Sequence, residues 1–289
     1  MRLLYYPGCT VKTTGKPYEK AALGVLKEFG VEVIELKDWV CCGVYPGLAK
    51  DSYYHLVAPI RNLLNAQIEK KSRNIDNDFL LTLCSMCFNT LKSANIRYIE
   101  DEVTRERLSY FFDLEPFYSG DVKVIHFMEA IRGIVGIDNL ERAVKNRLSG
   151  LKVAPFYGCY LLRPKNIGID NPEDPKIMET ILSTIGAEPI DYPYRNQCCG
   201  GYIVTKNPDA VWNRVEKIVG SAMSRGAKMI VTTCPLCAFN LEEGQKRRKE
   251  NLGGTIPVFY TPELIAFALG KYNYLFEDRL EILKVALKR

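Results

Sequence analysis

The chain has 289 residues, of which 47% are hydrophobic and 25% are charged, and its formal net charge is +5. This length suits one large domain or two ordinary ones, and the composition excludes a chain that is disordered throughout. Because basic residues form no long run and no window approaches about 18 uninterrupted apolar residues, we expect neither nucleic-acid binding nor a membrane-spanning helix. The N-terminus lacks the apolar stretch of a signal peptide, which predicts a cytoplasmic protein.

The first half of the chain predicts strands that alternate with amphipathic helices. The segment 18–30 places its apolar residues on one helical face and ends with Gly30, a typical C-cap. Short β-rich runs, which we interpret as strands, lie at 3–6, 31–36, 79–83 and 122–126. This alternation is typical of βαβ units and a parallel sheet.

The second half repeats this order, with a helix predicted over 211–226 and a joining helix over 138–150. We therefore predict an α/β fold of two duplicated halves, each with a small, mainly parallel sheet, related by pseudo-two-fold symmetry. The predicted divisions are a first domain at 1–149, a second at 150–270 and an amphipathic tail at 271–289. The tail is expected to cap a core or to dock a partner.

The ten cysteines repeat in the same order in both halves. A single Cys is followed by a Cys-Cys-Gly and then by a Cys-x-x-Cys, and no cysteine is left over. The first set is Cys9, Cys41, Cys42, Cys84 and Cys87, and the second is Cys159, Cys198, Cys199, Cys234 and Cys237. Each of these motifs follows a predicted strand. Since ligands of open α/β sheets bind at the carboxyl ends of the strands, we expect five sulfurs to converge at one edge of each half.

Four interpretations of five converging thiols are possible. They could be structural core residues, although this is hard to reconcile with so regular a pattern. Disulfides are disfavoured because a bond between neighbouring cysteines strains the peptide and because five thiols leave one unpaired. Zinc normally takes four ligands, so a fifth is awkward, whereas a multi-iron cluster can use more sulfurs. Glycines follow the Cys-Cys pairs (Gly43 and Gly200) and precede the lone cysteines (Gly8 and Gly158). They would let the backbone approach such a cluster.

The motif, together with the stretches at 157–175 and 232–245, resembles the B-subunit family of heterodisulfide reductases (HdrB), whose members carry two cysteine-rich CCG domains. The resemblance covers residues 1–270 and implies two non-cubane [4Fe-4S] clusters, one for each cysteine set. The chain differs from the family pattern in one respect: 41 residues separate Cys42 from Cys84, compared with 34 between Cys199 and Cys234. We expect the polar segment 69–78 to hold the surplus as a surface loop.

The resemblance also implies an activity and partners. The chain would be the catalytic subunit of a disulfide oxidoreductase, with its substrate, such as the heterodisulfide of coenzymes M and B, bound between the clusters. Electrons would come from a ferredoxin-type, HdrC-like partner and a flavin-containing, HdrA-like partner, since no cysteine remains for further clusters. Alternatives are a subunit of a sulfur-metabolism complex that acts on another thiol or disulfide, and a zinc-stabilised docking module. A succinate- or lactate-linked relative is disfavoured because such proteins usually carry an additional ferredoxin-like cysteine cluster.

Basic residues near the cysteine motifs are candidates for binding an anionic substrate. Arg163 and Lys165 follow Cys159 and are the predicted substrate-binding residues, with Arg195 and Lys206 flanking the other loop. Solvated surface charge is the alternative for each of them. His126 follows a predicted strand, where a general acid could lie, but a role in the core or in bonding a loop is favoured.

Overall fold

The computed structural model describes residues 1–44, 53–112 and 116–287. Within these ranges the strands form two four-stranded parallel sheets, one in each half of the chain. The first sheet has the order β2-β1-β3-β4 and the second the order β6-β5-β7-β8. The strands are β1 (Arg2–Tyr6), β2 (Glu32–Glu35), β3 (Phe79–Thr82), β4 (Lys123–His126), β5 (Lys152–Phe156), β6 (Glu188–Pro189), β7 (Met229–Thr232) and β8 (Val258–Tyr260).

Helices connect the strands in both halves. Those of the first half are α1 (Lys16–Glu28), α2 (Tyr54–Ser72), α3 (Ser85–Glu100), α4 (Glu102–Ser109), α5 (Phe127–Ala130), a π-helix (Ile131–Gly136) and α6 (Ile137–Ala143). Those of the second half are α7 (Ile177–Thr184), α8 (Pro208–Ser224), α9 (Pro235–Arg247), α10 (Lys249–Leu252), α11 (Thr261–Ala268) and α12 (Glu277–Leu287), with short 3₁₀ helices at Gly201–Thr205 and Tyr272–Tyr274. No helix in the described ranges is long and apolar enough to cross a membrane.

The predicted α/β fold with two similar halves is confirmed. The inner strands of each sheet are buried on both faces, which is why their sequences read as nearly continuous apolar runs. In both sheets the first and third strands of the half lie side by side, and the chain winds outward from them in opposite directions. The topological switch point of each sheet therefore lies between the strands that precede the lone Cys and the Cys-x-x-Cys.

Local sequence signals explain the limits of α1. Pro17 lies in its first turn, where the missing N–H is tolerated, so the helix begins at Lys16, two residues before the predicted start. The helix ends at Glu28, and Gly30 follows with a φ of +72°, a left-handed conformation that glycine adopts without steric cost.

The predicted joining helix over 138–150 is shorter than expected. It is α6, which ends at Ala143, after which Val144 is extended. The backbone N–H groups of Lys145 and Asn146 donate hydrogen bonds to the carbonyl oxygen of Ala268, at 2.8 and 2.9 Å. This acceptor belongs to the end of α11, so a tertiary contact replaces the last helical turns.

The surplus residues before β3 are only partly a loop. Residues 69–72 form the last turn of α2, and residues 73–78 form the surface turn that precedes β3. Asn74 has a φ of +49° in this turn, a conformation that asparagine adopts more readily than most residues.

The C-terminal tail packs on both halves of the chain. Arg279 of α12 donates hydrogen bonds to the buried carboxylate of Glu263, at 2.5 and 2.8 Å, and its guanidinium lies 4.0 Å from the ring centroid of Phe259. Just before α12, the hydroxyl of Tyr274 donates to Glu28 of the first half at 2.6 Å. These contacts favour the core-capping role for the tail.

Candidate metal centre

The first cysteine set comes together at the carboxyl edge of the first sheet. The Cys9 and Cys41 sulfurs are 3.8 Å apart, and the Cys42 and Cys87 sulfurs are 3.5 Å apart. Further thiol–thiol hydrogen bonds join Cys41 to Cys42 and Cys84 to Cys87. The five sulfurs therefore form one continuous series of contacts, as the positions of the motifs predict.

The second set repeats this arrangement. Thiol–thiol hydrogen bonds join Cys159 to Cys198, Cys198 to Cys199, Cys199 to Cys237 and Cys237 to Cys234. All five residues line a small internal cavity of about 20 Å³. The five thiols lie against one another. A bound metal cluster would be larger than this cavity and would replace the thiol–thiol contacts.

The two sets meet where their Cys-x-x-Cys motifs begin. Cys84 and Cys234 occupy equivalent positions in the halves, and their thiols hydrogen-bond to each other. Contact between equivalent residues is what a two-fold relation produces near its axis. Next to them, the Ser85 hydroxyl donates to the carbonyl oxygen of Thr233 at 3.1 Å.

Helix N-termini point at both sets. Cys84 and Cys234 are the N-cap residues of α3 and α9, and Cys87 and Cys237 follow in the first turns. The neighbouring thiols of Cys234 and Cys87, and to a lesser extent the first-turn N–H groups of Cys87 and Met86, lower the pKa of the Cys84 thiol. N–H donors and the positive end of a helix dipole both favour the thiolate, the form that binds metals.

In each set, neighbouring thiols also lower the pKa of one cysteine of the Cys-Cys pair. The Cys41 thiol, followed by that of Cys87, lowers the pKa of Cys42 to about 4 through hydrogen bonds. The Cys159 thiol, followed by that of Cys199, lowers the pKa of Cys198 to about 2 in the same way. Each set therefore contains sulfur that is ready to ionise as a metal ligand.

The glycines that precede the two lone cysteines leave no room for a side chain beside the sulfurs. Gly8 has a φ of +74°, and a Cβ atom there would lie 2.8 Å from the Cys87 sulfur. Gly158 has a φ of +67°, and a Cβ atom there would lie 3.0 Å from the Cys237 sulfur. Gly8 and Gly158 therefore allow the backbone to lie against the sulfurs, whereas a Cβ atom at Gly43 or Gly200 would meet Ala58 at 3.7 Å or Val211 at 2.8 Å and not a sulfur.

The donor set fits a multi-metal cluster better than a single ion. No group of three or more His, Cys, Asp or Glu side chains in the described part of the chain is arranged to hold one metal ion. The sulfurs instead meet in succession: the Cys198 and Cys199 thiols interact with each other, and each has a further partner of its own, Cys159 and Cys237 respectively. A cluster of several irons needs ligands distributed in this way, because each iron requires its own.

A cavity of about 950 Å³ opens beside the second set. Cys159 and Cys198 lie in its wall, and Val44 and Met86 of the first half complete it. The other lining residues are Tyr160, Arg163, Pro164, Gly200, Gly201, Tyr202, Ile203, Lys206 and Asn207. This volume suits a small organic ligand, and the wall is mainly apolar with a few polar groups.

The candidate substrate-binding residues differ in their placement. Arg163 lines the cavity, but its guanidinium donates to the carbonyl oxygens of Asn196 and Pro172 and to the carboxylate of Glu173, each at 3.0 Å. Lys165 is exposed and is not part of the cavity wall. Arg163 therefore has its donors engaged by its own loop, and Lys165 lies away from the wall.

Arg195 and Lys206 also separate into different roles. Arg195 pairs with Asp174 at 2.6 Å and also with Asp191 and Glu179, so it holds its own loop against the start of α7. Lys206 lines the cavity, is exposed and makes no ion pair with the described residues. It is the basic side chain best placed to meet an anion there.

His126 is a buried structural residue. Its Nδ1 accepts a hydrogen bond from the Met128 N–H at 3.2 Å, so the proton is on Nε2, which donates to the Leu83 carbonyl oxygen at 2.8 Å. Burial lowers its pKa to about 4. The loop-bonding role is therefore favoured over that of a general acid.

Two asparagines near the sulfurs were not predicted from the sequence. Asn89, in α3, donates to the carbonyl oxygens of Tyr160 and Arg163, at 2.8 and 2.7 Å, and thus holds a cavity-lining loop of the other half. Asn240, in α9, donates to the Cys199 sulfur at 3.4 Å. Both lie within one turn after a Cys-x-x-Cys, which is the signal that could have identified them.

Comparison with known families explains the duplication. A family model described as "Cysteine-rich domain" (CCG) matches residues 3–92 and residues 153–242. The chain belongs to the CCG family. Each matched CCG domain runs from the first strand of its half to the helix after its Cys-x-x-Cys, so both contain a full cysteine set.

Similar CCG proteins span nearly the whole chain. An "8-methylmenaquinol:fumarate reductase membrane anchor subunit" from Wolinella succinogenes is 29% identical over 272 residues, which are 92% of this chain and 91% of the relative. The B subunit of a "Ferredoxin/F(420)H(2)-dependent CoB-CoM heterodisulfide reductase" from Methanosarcina acetivorans is 28% identical over 93% of this chain and 89% of its own. The resemblance to the HdrB family is thus confirmed.

A solved structure shares the fold of this CCG protein. It is the crystal structure of a hypothetical protein from Helicobacter pylori, with a TM-score of 0.73 and 12% sequence identity. The alignment covers 97% of this chain and 50% of that chain, so this chain corresponds to half of the longer protein. At this identity the likeness concerns the fold.

Proposed function

We propose that the chain holds two non-cubane [4Fe-4S] clusters and is the catalytic subunit of a heterodisulfide reductase-type complex. The first set (Cys9, Cys41, Cys42, Cys84 and Cys87) would hold one cluster, and the second (Cys159, Cys198, Cys199, Cys234 and Cys237) the other. The observation that carries the proposal is that two complete five-thiol sets meet through Cys84 and Cys234 beside a cavity large enough for an organic disulfide. Relatives named as iron–sulfur and heterodisulfide reductase proteins support the same chemistry.

The proposed reaction is the reduction of a disulfide to two thiols with two electrons and two protons. Clusters bound by these cysteines would supply electrons one at a time and a metal surface for sulfur. The protein would supply the surroundings: Val44, Met86 and Ile203 make the cavity wall apolar and so limit water near the sulfurs. Lys206 would attract an anionic group of the substrate to the cavity.

The chain would depend on partner proteins for its electrons. All ten cysteines of this sequence belong to the two sets, so none is left over to hold a further cluster. We propose a ferredoxin-type, HdrC-like partner as the direct donor and a flavin-containing, HdrA-like partner behind it. A cytoplasmic location, where thiols remain reduced, is part of the same proposal.

Metal analysis of the anaerobically purified protein tests the assignment of the clusters. We expect about eight iron atoms per chain, four for each cluster, with a brown colour. Cys87→Ser and Cys237→Ser should each lose about half of the iron, since each removes a ligand from one set only. One or two zinc ions without iron would instead indicate a zinc-stabilised docking module.

A dye-linked assay tests the reaction. Reduced viologen should be oxidised when the heterodisulfide of coenzymes M and B is added, and free thiols should appear at two per disulfide. A chain with a full iron content that reduces no disulfide under these conditions would contradict the proposed activity. Activity with another disulfide in place of this one would favour the sulfur-metabolism alternative.

A second candidate is an electron-transfer subunit of a fumarate reductase complex. The Wolinella succinogenes relative named for that activity aligns along 91% of its own length, so a chain without an additional ferredoxin-like cysteine cluster is compatible with such a complex. Co-purification distinguishes the candidates. A flavoprotein with fumarate reductase activity that co-purifies with the chain, with fumarate but no disulfide reduced, would favour the second.

A further inference from the structure

Asn240 makes a hydrogen bond to a sulfur of the second set. It is fully buried in α9, and its amide nitrogen lies 3.4 Å from the Cys199 sulfur and 3.0 Å from the carbonyl oxygen of Gly201. A carbonyl oxygen can only accept, so this second contact fixes the amide with its NH₂ group toward both partners. One N–H therefore points at Gly201 and the other at the sulfur.

The first set has no equivalent donor among the residues that the structure describes. The residue that corresponds to Asn240 is Thr90, which makes no hydrogen bond to a sulfur within the described ranges. The hydroxyl of Thr10 does approach a sulfur of the first set, but it lies 3.7 Å from Cys9, on the exposed side. The side-chain donor to a buried sulfur is thus a point at which the two duplicated sites differ.

The backbone donors, in contrast, are matched. In the first half the N–H groups of Gly43 and Val44 donate to the sulfurs of the Cys-Cys pair. In the second half those of Gly200 and Gly201 do so, at 3.3 and 3.5 Å. Since these contributions are alike, they do not distinguish the two sites.

A cation also lies close to the second set. The guanidinium of Arg214 donates to the carbonyl oxygen of Cys198 and, at 3.2 Å, to the side chain of Gln197. Lys206 adds a second positive charge at the cavity wall. Both charges favour additional negative charge on the sulfurs nearby.

We propose that Asn240 raises the reduction potential of the second iron–sulfur site and helps to make it the higher-potential site of the pair. This inference rests on the proposed clusters. Reduction adds negative charge to a cluster and its sulfurs, and an N–H dipole directed at a ligand sulfur stabilises that charge. Electrons entering the pair would then collect at the site whose cysteines line the cavity, where the substrate is reduced.

Redox titration of the holoprotein, followed by electron paramagnetic resonance, tests this inference. Asn240→Leu removes the donor with little change in volume, and Asn240→Asp preserves the shape but places an acceptor beside the sulfur. With either variant, one midpoint potential should become more negative while the other stays unchanged. The midpoint that moves should be the higher of the two in the unmodified protein. Thr90→Val is the matched control and should move neither.

Each other outcome has a separate meaning. If the variants contain full iron and neither midpoint moves, or if the lower one moves, the role of Asn240 is refuted while the proposed clusters stand. If both midpoints move equally, the change is not local to the second set, and the inference is refuted as well. If the unmodified protein binds no iron, the proposed function fails and the inference fails with it; the iron content separates this case from the others.

Discussion

Substituting Gly8 by alanine should damage the first cysteine set specifically. Gly8 and Gly30 have nearly the same φ, +74° and +72°. A Cβ atom at Gly30 would meet nothing within 4 Å, whereas one at Gly8 would lie 2.8 Å from the Cys87 sulfur. Both variants place alanine in the left-handed region, at a cost of roughly 1–2 kcal/mol. Gly8→Ala adds an overpacked contact worth about 1–3 kcal/mol.

The difference between the two variants therefore isolates the sulfur contact. Gly8→Ala should unfold at a lower temperature than Gly30→Ala by roughly 2–12 °C, taking about 2–4 °C per kcal/mol for a protein of this size. It should also hold about half of the iron of the unmodified protein, because only the first set is disturbed. Differential scanning calorimetry and anaerobic iron analysis measure both quantities. Equal melting temperatures and equal iron contents for the two variants would refute the close packing of Gly8 against Cys87.

Three further predictions concern other parts of the chain. Arg279→Met should lower the free energy of unfolding by about 3–5 kcal/mol, because it leaves the buried carboxylate of Glu263 without its counterion. An unchanged melting temperature in calorimetry would contradict the capping role of the tail. Asn89→Leu should lower the free energy of unfolding in denaturant by about 1–3 kcal/mol, since two carbonyl oxygens of the opposite half lose their donor. A stability equal to that of the unmodified protein would contradict these hydrogen bonds. Lys206→Met should raise the KM for an anionic disulfide about 2- to 5-fold in the dye-linked assay, while Lys165→Met leaves it unchanged; the reverse order would remove Lys206 from the substrate site.

The sequence predicts most of the fold and the convergence of the sulfurs for simple physical reasons. A strand buried on both faces must be apolar along its length, so β1, β3, β5 and β7 can be recognised directly. The carboxyl ends of parallel strands meet at one edge, so residues that follow them, such as Cys9 and Cys84, must approach each other. These features depend on local patterns and on chain topology alone.

Other features depend on contacts between distant segments and could not be predicted. α6 ends early because Ala268 accepts hydrogen bonds from the following residues. Arg163 is engaged by its own loop because Pro172 and Asn196 fold back over it. The role of Asn89 also requires the opposite half to lie against α3. In each case the partner lies beyond the reach of a helix or strand repeat, so no periodic pattern indicates it.

The two cysteine sets differ in the residues that surround them, and this difference affects any reaction at this centre. Duplication gives both halves the same five thiols, the same backbone donors and the same helix N-termini, so by themselves they would give two equivalent sites. A two-electron reaction at one cavity needs electrons that arrive at one site to move on to the other. Cys84 and Cys234 provide the contact between the sites, and the second site has the additional side-chain donor, the nearby cations and the access to the cavity. The direction of electron flow would therefore come from the few residues outside the repeated motif, and exchanging Asn240 and Thr90 between the halves should weaken or reverse it.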